Sequence, residues 1–420
     1  MNAVSNTVPT IDAVLSSVEA RAAAKSSGRW LIYGINMAPE LTGIGKYTGE
    51  MAARLAARGH DVTVVTAYPY YPHWKLDPAR PNWRWSTELW KGVRIIRCPI
   101  WVPNQPTAKT RILHLLSFTL SSAPAVLYAA LRHRPETLFV VEPTSLAAPA
   151  GLLAARLAGA EAWLHVQDLE LGAALNVGLI GHGRTARLAA SLYRWTLSRF
   201  DRVTTLSNRM RKALSSFGRD ERCIAIFPNW IQVEKYKAVD SSDLRAELGL
   251  ALDAFIVLYS GAMGEKQGVE SLLDVARLLE NERRVRFILC GAGPARSRIE
   301  ARHQEHHNVM LLDPQPEARF IQLLTMADCH VLPQKHGVTH FVMPSKLGPI
   351  LATGKPVVAQ AEEDCEVATA VGRHQVVPPE DTHSMAKAIR RLLYQSREAD
   401  AGSNCSVQAN VYPQSSAPSN

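Results

Sequence analysis

The sequence predicts an α/β protein built from two successive Rossmann-like domains. Three observations carry that expectation. Short β-rich runs alternate with amphipathic helical patterns along most of the chain, which is how βαβ units and parallel sheets read. Glycine-rich loops follow several of these runs and open the next helix, where free backbone N–H groups gather. The charged stretch from Gln232 to Asp253 breaks the series once, so the two arrays would face each other across a cleft. A chain of 420 residues has room for two hydrophobic cores.

The first array opens at Trp30–Ala67, read as strand, glycine loop, helix and strand. Leu31 to Ile35 is β-rich. Pro39 and a loop with Gly43 and Gly45 follow. From Lys46 to Arg58 the residues Tyr47, Met51 and Leu55 recur on one helical face, and Glu50 and Arg54 stand one turn apart, within pairing reach. Gly59 suits the helix end, and Asp61 to Thr66 is the next strand. A dinucleotide fingerprint is not met: the loop is long, and the second strand ends in Ala67-Tyr68 without the ribose-binding acid. The glycines are instead read as a cradle for phosphate.

An aromatic loop comes next, where Pro69, Pro72, Pro78 and Pro81 forbid regular structure. Its Tyr70, Tyr71, His73 and Trp74 are candidates to line a sugar or lipid pocket, since flat rings stack on apolar ligand faces. Packing of the rings on one another is the competing reading. Lys91 to Pro99 reads as a strand. Ile112 to Leu131 then runs for about 20 residues without Lys, Arg, Asp or Glu, between Lys109 and Arg111 on one side and Arg132 and Arg134 on the other. Serines and Pro124 interrupt it, so a buried helix, or one lying in a membrane interface, fits better than a span. The strands Thr137–Val141, Ala162–Val166, Arg202–Leu206 and Cys223–Phe227 complete this array. The third of these four is preceded by an arginine-rich segment, and the second delivers His165, Gln167 and Asp168 to its C-terminal end.

The second array begins with Phe255–Ser260 and the loop GAMGEKQG. A helix with Val269, Leu272, Leu273, Ala276 and Leu279 on one stripe follows. Val285–Cys290 leads into Gly291-Ala292-Gly293-Pro294, and further strands are expected at Val309–Leu312, Asp328–Leu332 and Pro356–Ala359. The domains expected are 29–230 and 231–395. Residues 1–28, Ala/Ser-rich and without an apolar core, read as a disordered or weakly helical extension that is neither signal peptide nor membrane span. Residues 396–420 read as a disordered tail.

Composition narrows the partners. Lys and Arg outnumber Asp and Glu by 47 to 38, a formal charge of +9, which suits phosphate-bearing ligands, anionic membranes or nucleic acid. Nucleic acid is set aside, because the basic residues form neither a reading helix nor a stacking sheet. The scattered cysteines contain no CxxC and read as reduced thiols of a cytosolic protein. His303, His306 and His307 lack a carboxylate at ligand spacing, and no Asp-x-Asp occurs, so no metal is expected.

Taken together, the strings TGIGKYTGE, GHDVTVVT, LHVQDLE, FPNW, YSGAMGEKQG, GAGP and PSKLGPILATGKPVV resemble family 4 retaining glycosyltransferases of the GT-B fold. The likeness is greatest to the colanic acid (exopolysaccharide) type, whose expected sugar is fucose. It runs from Gly28 to about Leu393. The resemblance implies a nucleotide-sugar donor with no further cofactor. Gly43, Gly45, Gly261 and Gly264 would approach its phosphates, Lys266 would supply charge, and Gly291 and Gly293 would pass the base. Asn229 would border the cleft, and Ser345 and Lys346 would open a phosphate-facing helix. His165, or Gln167 on the same side of the strand, would match the family's catalytic-site histidine, and Asp168 its aspartate. Two departures stand out: Ala262 replaces the arginine usually paired with the lysine, and Phe341 and Pro349 replace two glutamates. The expected protein is cytoplasmic and peripheral on the inner face of the membrane, using a lipid-linked saccharide as acceptor. A non-catalytic sugar-nucleotide or membrane-binding relative, and an NAD(P)-dependent oxidoreductase, are the alternatives.

Overall fold

The structure, a computed structural model, describes all residues except 1–10, 22–26, 41–42, 72–73, 81, 105–106, 144, 169–183, 231–232, 237–238, 337–345, 363–364, 373–374 and 409–420. Two compact α/β units divide between residues 231 and 232.

In the first unit, helix α1 (Ile11–Arg21) precedes β1 (Arg29–Tyr33), α2 (Gly43–Ala57) and β2 (Asp61–Ala67). Then come β3 (Ser86–Trp90), β4 (Val93–Cys98), α3 (Ala108–His133), β5 (Thr137–Glu142), α4 (Ala148–Ala158) and β6 (Glu161–Val166). Helix α5 (Arg184–Arg199), β7 (Arg202–Thr205), α6 (Asn208–Ser215) and β8 (Ile224–Ile226) complete it. The sheet order is β3-β4-β2-β1-β5-β6-β7-β8, with only β3 antiparallel to its neighbour. Strand β1 lies between β2 and β5, pairing Leu31 with Thr63 and with Leu138. Being central, β1 is buried on both faces and reads as a near-continuous apolar run. The order reverses direction between β1 and β5, and ligand crevices of open α/β sheets form at such points, outside the carboxyl ends of the strands.

Helix α2 buries Tyr47, Met51 and Leu55, the expected stripe. Its Glu50 does not pair with Arg54: it accepts from the Trp230 indole at 2.8 Å, while Arg54 bonds Asp12. Of the two readings of residues 1–28, that second contact favours the helical one for Ile11–Arg21. Helix α1 docks through buried Val14 and Leu15, and Asp12 accepts from both Arg54 and Arg58. Helix α3 starts at a Thr107–Thr110 capping box and ends at Arg134 in the left-handed region. It buries Phe118, Ser122, Val126, Ala129 and Ala130, and Ser122 bonds the Tyr33 hydroxyl at 2.7 Å. One face of α3 is therefore core, which opposes a membrane span.

The second unit runs α7 (Ser242–Glu247), β9 (Phe255–Ser260), α8 (Ser271–Leu278), β10 (Val285–Cys290), α9 (Arg296–His303), β11 (Val309–Leu312) and α10 (Glu317–Met326). It continues through β12 (Cys329–Leu332), α11 (Leu347–Ala352), β13 (Val357–Gln360), α12 (Glu366–Val371), β14 (Val376–Val377) and α13 (Thr382–Gln408). The sheet is wholly parallel, ordered β11-β10-β9-β12-β13-β14, and its direction reverses between β9 and β12. Helix α13 buries Met385, Ala386, Ile389 and Leu393 at three- and four-residue spacing. It runs on to Gln408, so the stretch from residue 396 is helical at its start rather than disordered throughout.

Candidate functional site

In the second unit the site is built from two glycine loops at the carboxyl ends of β9 and β10. The loops are laced together by backbone bonds: Gly261 N–H donates to Cys290 O, Met263 N–H to Ala292 O, and Ala295 N–H to Met263 O. Such proximity is open only to glycine. A Cβ on Gly291 would lie 1.9 Å from Gly261 O, and one on Gly293 would lie 2.5 Å from Met263 O. Their φ angles, 154° and 150°, belong to the region that side chains avoid. Gly261, at φ 129°, leaves room for something else: a Cβ there would sit 2.4 Å from Cε of Lys346.

Lys346 thus threads across the β9 loop. Its Nζ donates to the Tyr259 hydroxyl at 2.6 Å and to Ala262 O at 3.3 Å, and stands 4.2 Å from the Tyr259 ring centre. Burial pulls its ammonium down to about 8. Lys335, following β12, comes near the same loop, with Cγ 3.3 Å from where a Gly268 Cβ would be. The structure therefore brings Gly261, Gly264, Gly291, Gly293 and Lys346 to one strand-end region and adds Tyr259 and Lys335, which sequence reading did not assign. Lys266 lies on the single turn Glu265–Gln267; its side chain is outside the described residues, as is Ser345.

In the first unit the crevice at β1 and β5 holds carboxylates. Glu40, buried after β1, accepts from Asn36 Nδ2 at 2.9 Å and from the backbone N–H groups of Tyr70 and Tyr71. Burial raises its carboxyl, against the pull of those bonds. A Cβ on Gly45 would lie 2.4 Å from Glu40 Oε2. Gly45 is accordingly small to admit an internal carboxylate. Gly43, at φ 63°, opens α2 beside Tyr71. Glu142, ending β5, accepts from the Tyr193 hydroxyl at 3.1 Å. Asp168 lies close enough for its charge to help raise the phenols of both Tyr71 and Tyr193, after burial and the nearer carboxylates.

His165 does not belong to this group. It is 2% exposed, bonds Thr204 Oγ1 at 2.9 Å and packs tilted against Phe139 and edge-on to Phe227. Burial pushes its imidazole down to about 3, so it is a neutral core residue, unlike the catalytic-site histidine expected. The aromatic loop divides likewise. Tyr70 and Trp74 pack on each other and on His114, which fastens the loop to α3. Of the four candidate rings, Tyr71, 41% exposed, stands at the surface, and His73 lies outside the described residues. Asn229 follows β8 and is half-buried, next to the buried Trp230 that reaches Glu50.

Comparison with known proteins agrees with this layout. Residues 42–230 match the model described as "Glycosyl transferase 4-like domain", and residues 254–395 match "Glycosyl transferases group 1". The chain is 40% identical over 376 residues to WcaI of Escherichia coli (strain K12), named as a colanic acid biosynthesis glycosyl transferase, covering 86% of this chain and 91% of that one. Sucrose-phosphate synthase from Thermosynechococcus elongatus superposes with a TM-score of 0.65 at 19% identity, covering 87% of this chain and 90% of that one. Anabaena HepE, solved in complex with UDP-glucose, gives a TM-score of 0.59 at 17% identity, covering 88% and 91%. Likeness at that identity speaks to fold alone.

Proposed function

The chain belongs to the glycosyltransferase family whose two domain types it carries, and on that premise we propose that it moves a sugar from a nucleotide-sugar donor to a lipid-linked oligosaccharide during exopolysaccharide assembly. The observation that carries the reading is the pair of interlaced glycine loops at the carboxyl ends of β9 and β10. Departure of the donor leaves a diphosphate, so the site has to receive growing negative charge. Glycine backbones allow close approach, and Lys266, Ser345 and Lys346 supply charge and hydrogen bonds without a metal ion. Gly291 and Gly293 would run past the base. The relative's name, a colanic acid biosynthesis glycosyl transferase, supports a polysaccharide product, and the family resemblance makes fucose the sugar to try first.

On the acceptor side the reading rests on Asp168 and Tyr71, which share one region of the first unit. Transfer would proceed with retention at the anomeric carbon. The leaving phosphate would draw the acceptor proton, and Asp168 would assist in place of His165. The outer face of α3 would hold the enzyme on the inner surface of the cytoplasmic membrane, near its lipid-linked substrate.

A product assay tests this. Full-length protein is incubated with a panel of nucleotide sugars, a lipid-linked saccharide in vesicles, and EDTA. Transfer from one donor is expected, and Lys266→Ala should lower it at least about tenfold. Turnover untouched by Lys266→Ala would remove Lys266 from the phosphate assignment. Ala262, Pro349 and Phe341, standing where the family carries an arginine and two glutamates, favour one second reading: a sugar-nucleotide-binding relative without turnover. Binding of a nucleotide sugar with no product under any donor would select it.

A further inference from the structure

We propose that Lys346, aimed by the Tyr259 hydroxyl, is the principal cation holding the donor's diphosphate, supplying the charge that Ala262 does not. The inference rests on the nucleotide-sugar reading above and adds the device that makes a site with Ala262 workable.

The geometry points this way on four counts. The Lys346 side chain crosses the β9 loop where Gly261 lacks a Cβ, so a glycine at that position is what lets the lysine reach the loop. An ammonium carries three donors, and two of them are taken by Tyr259 Oη and Ala262 O, which leaves one for a ligand. Among the described residues no carboxylate pairs with Lys346, and burial is the sole cause of its shift. A largely desolvated cation without an acid is costly unless an anion completes it. Finally, Ala262 is exposed, and its carbonyl is the shared anchor of both Tyr259 and Lys346.

Tyr259 is then a positioning residue. Its hydroxyl proton goes to Ala262 O, which turns the oxygen lone pairs toward Lys346 Nζ. Lysine is a flexible point charge on a long stem, so its head needs such an anchor to meet a phosphate at a fixed place. The ring itself packs in the core of the second unit, with Val257, Phe287 and Leu289 in the same cluster. Tyr259→Phe therefore removes the anchor and keeps the packing.

The test is calorimetric titration of the full chain with ADP, CDP, GDP, TDP and UDP and with the matching nucleosides. For the diphosphate that wild type binds, Lys346→Met is expected to weaken binding about tenfold or more, while the nucleoside changes less than about twofold. Lys346→Gln, polar but uncharged, should lose as much, which covers the case of a methionine variant that does not fold. Tyr259→Phe should lose about threefold to tenfold, again on the diphosphate alone. Adding Ala262→Arg to Lys346→Met should recover most of the loss, because the guanidinium enters from the exposed side; a purely structural lysine would not be rescued that way. Wild-type affinity in Lys346→Met and Lys346→Gln would overturn the inference, as would equal losses for diphosphate and nucleoside. Wild type binding none of the five diphosphates would instead remove the nucleotide-sugar reading, and this inference with it.

Discussion

His165 and His330 show how burial decides what a residue can do. Both are enclosed among strands, and burial pushes each imidazole down to about 3. In the unfolded chain each titrates near the ordinary value of about 6.5. The folded value is the depressed one, so their contribution to stability is complete above about pH 6.5 and is lost as pH falls toward 3. Each should cost at most roughly 1.4 kcal/mol per pH unit in that window. Urea unfolding at pH 7 and pH 5 measures the slope, and His165→Gln, which keeps a hydrogen-bonding partner for Thr204, should flatten it. An unchanged slope would mean that His165 is not held neutral in the fold. The sequence could not place this residue, because β6 is central and buried along its length, so alternation carries no inside-outside signal. Glu40 was hidden for another reason: its partners Tyr70 and Tyr71 lie about 30 residues away and meet it only through the fold. Gly291 and Gly293 were legible, since a glycine pair directly after an apolar strand marks a turn where backbone must come close to a neighbour or a ligand.

At the scale of elements, α3 is the one whose outer face asks for a partner. Leu113, Leu116, Leu120, Pro124, Tyr128 and Leu131 form an exposed stripe, and Leu120 is 75% exposed. Trp85 and Trp101 bond the helix at Ser121 O and Ser117 Oγ and are themselves exposed. The helix carries no acid, and Lys109, Arg111, Arg132 and Arg134 flank it. An apolar stripe with basic ends suits the interface of an anionic bilayer. We expect the protein to sediment with vesicles containing about a third anionic lipid and to release at high salt. Leu120→Glu combined with Tyr128→Glu should reduce the bound fraction several-fold without changing the melting temperature, because neither residue is buried. Binding unaffected by the pair would move membrane contact elsewhere. The long apolar run announced this helix from composition alone. Helix α1 was open only as a weak helix, and its docking was not announced: among Ala and Ser it depends on Val14 and Leu15, too few for a periodic signal.

For the whole molecule, the fold was readable because both sheets are mainly parallel and most strands are short apolar runs closed by turn residues. Strands β3 and β14 were the exceptions: half-exposed edge residues after an aromatic loop lack that signature, and Val376–Val377 is too short to carry it. The two units keep separate hydrophobic clusters, one around β9 and β10 and the others around β1. That separation gives a division of labour that exchange can test. A ligand stabilises the cooperative unit that binds it by RT ln(1 + [L]/Kd), about 2.7 kcal/mol at 100 times Kd. Amides that exchange only when the unit opens should then slow by about a hundredfold. With a nucleoside diphosphate at that excess, hydrogen–deuterium exchange should slow in β9, β10 and β12 and in the loops 261–268 and 291–295. The β5 and β6 amides of the first sheet should keep their rates, because Lys266 and Lys346, the proposed diphosphate cations, belong to the second unit. Slowing confined to β1, β5 and the Gly43 loop would reverse the assignment and make the first unit the donor site, whereas equal slowing in both sheets would show that the two cores unfold as one.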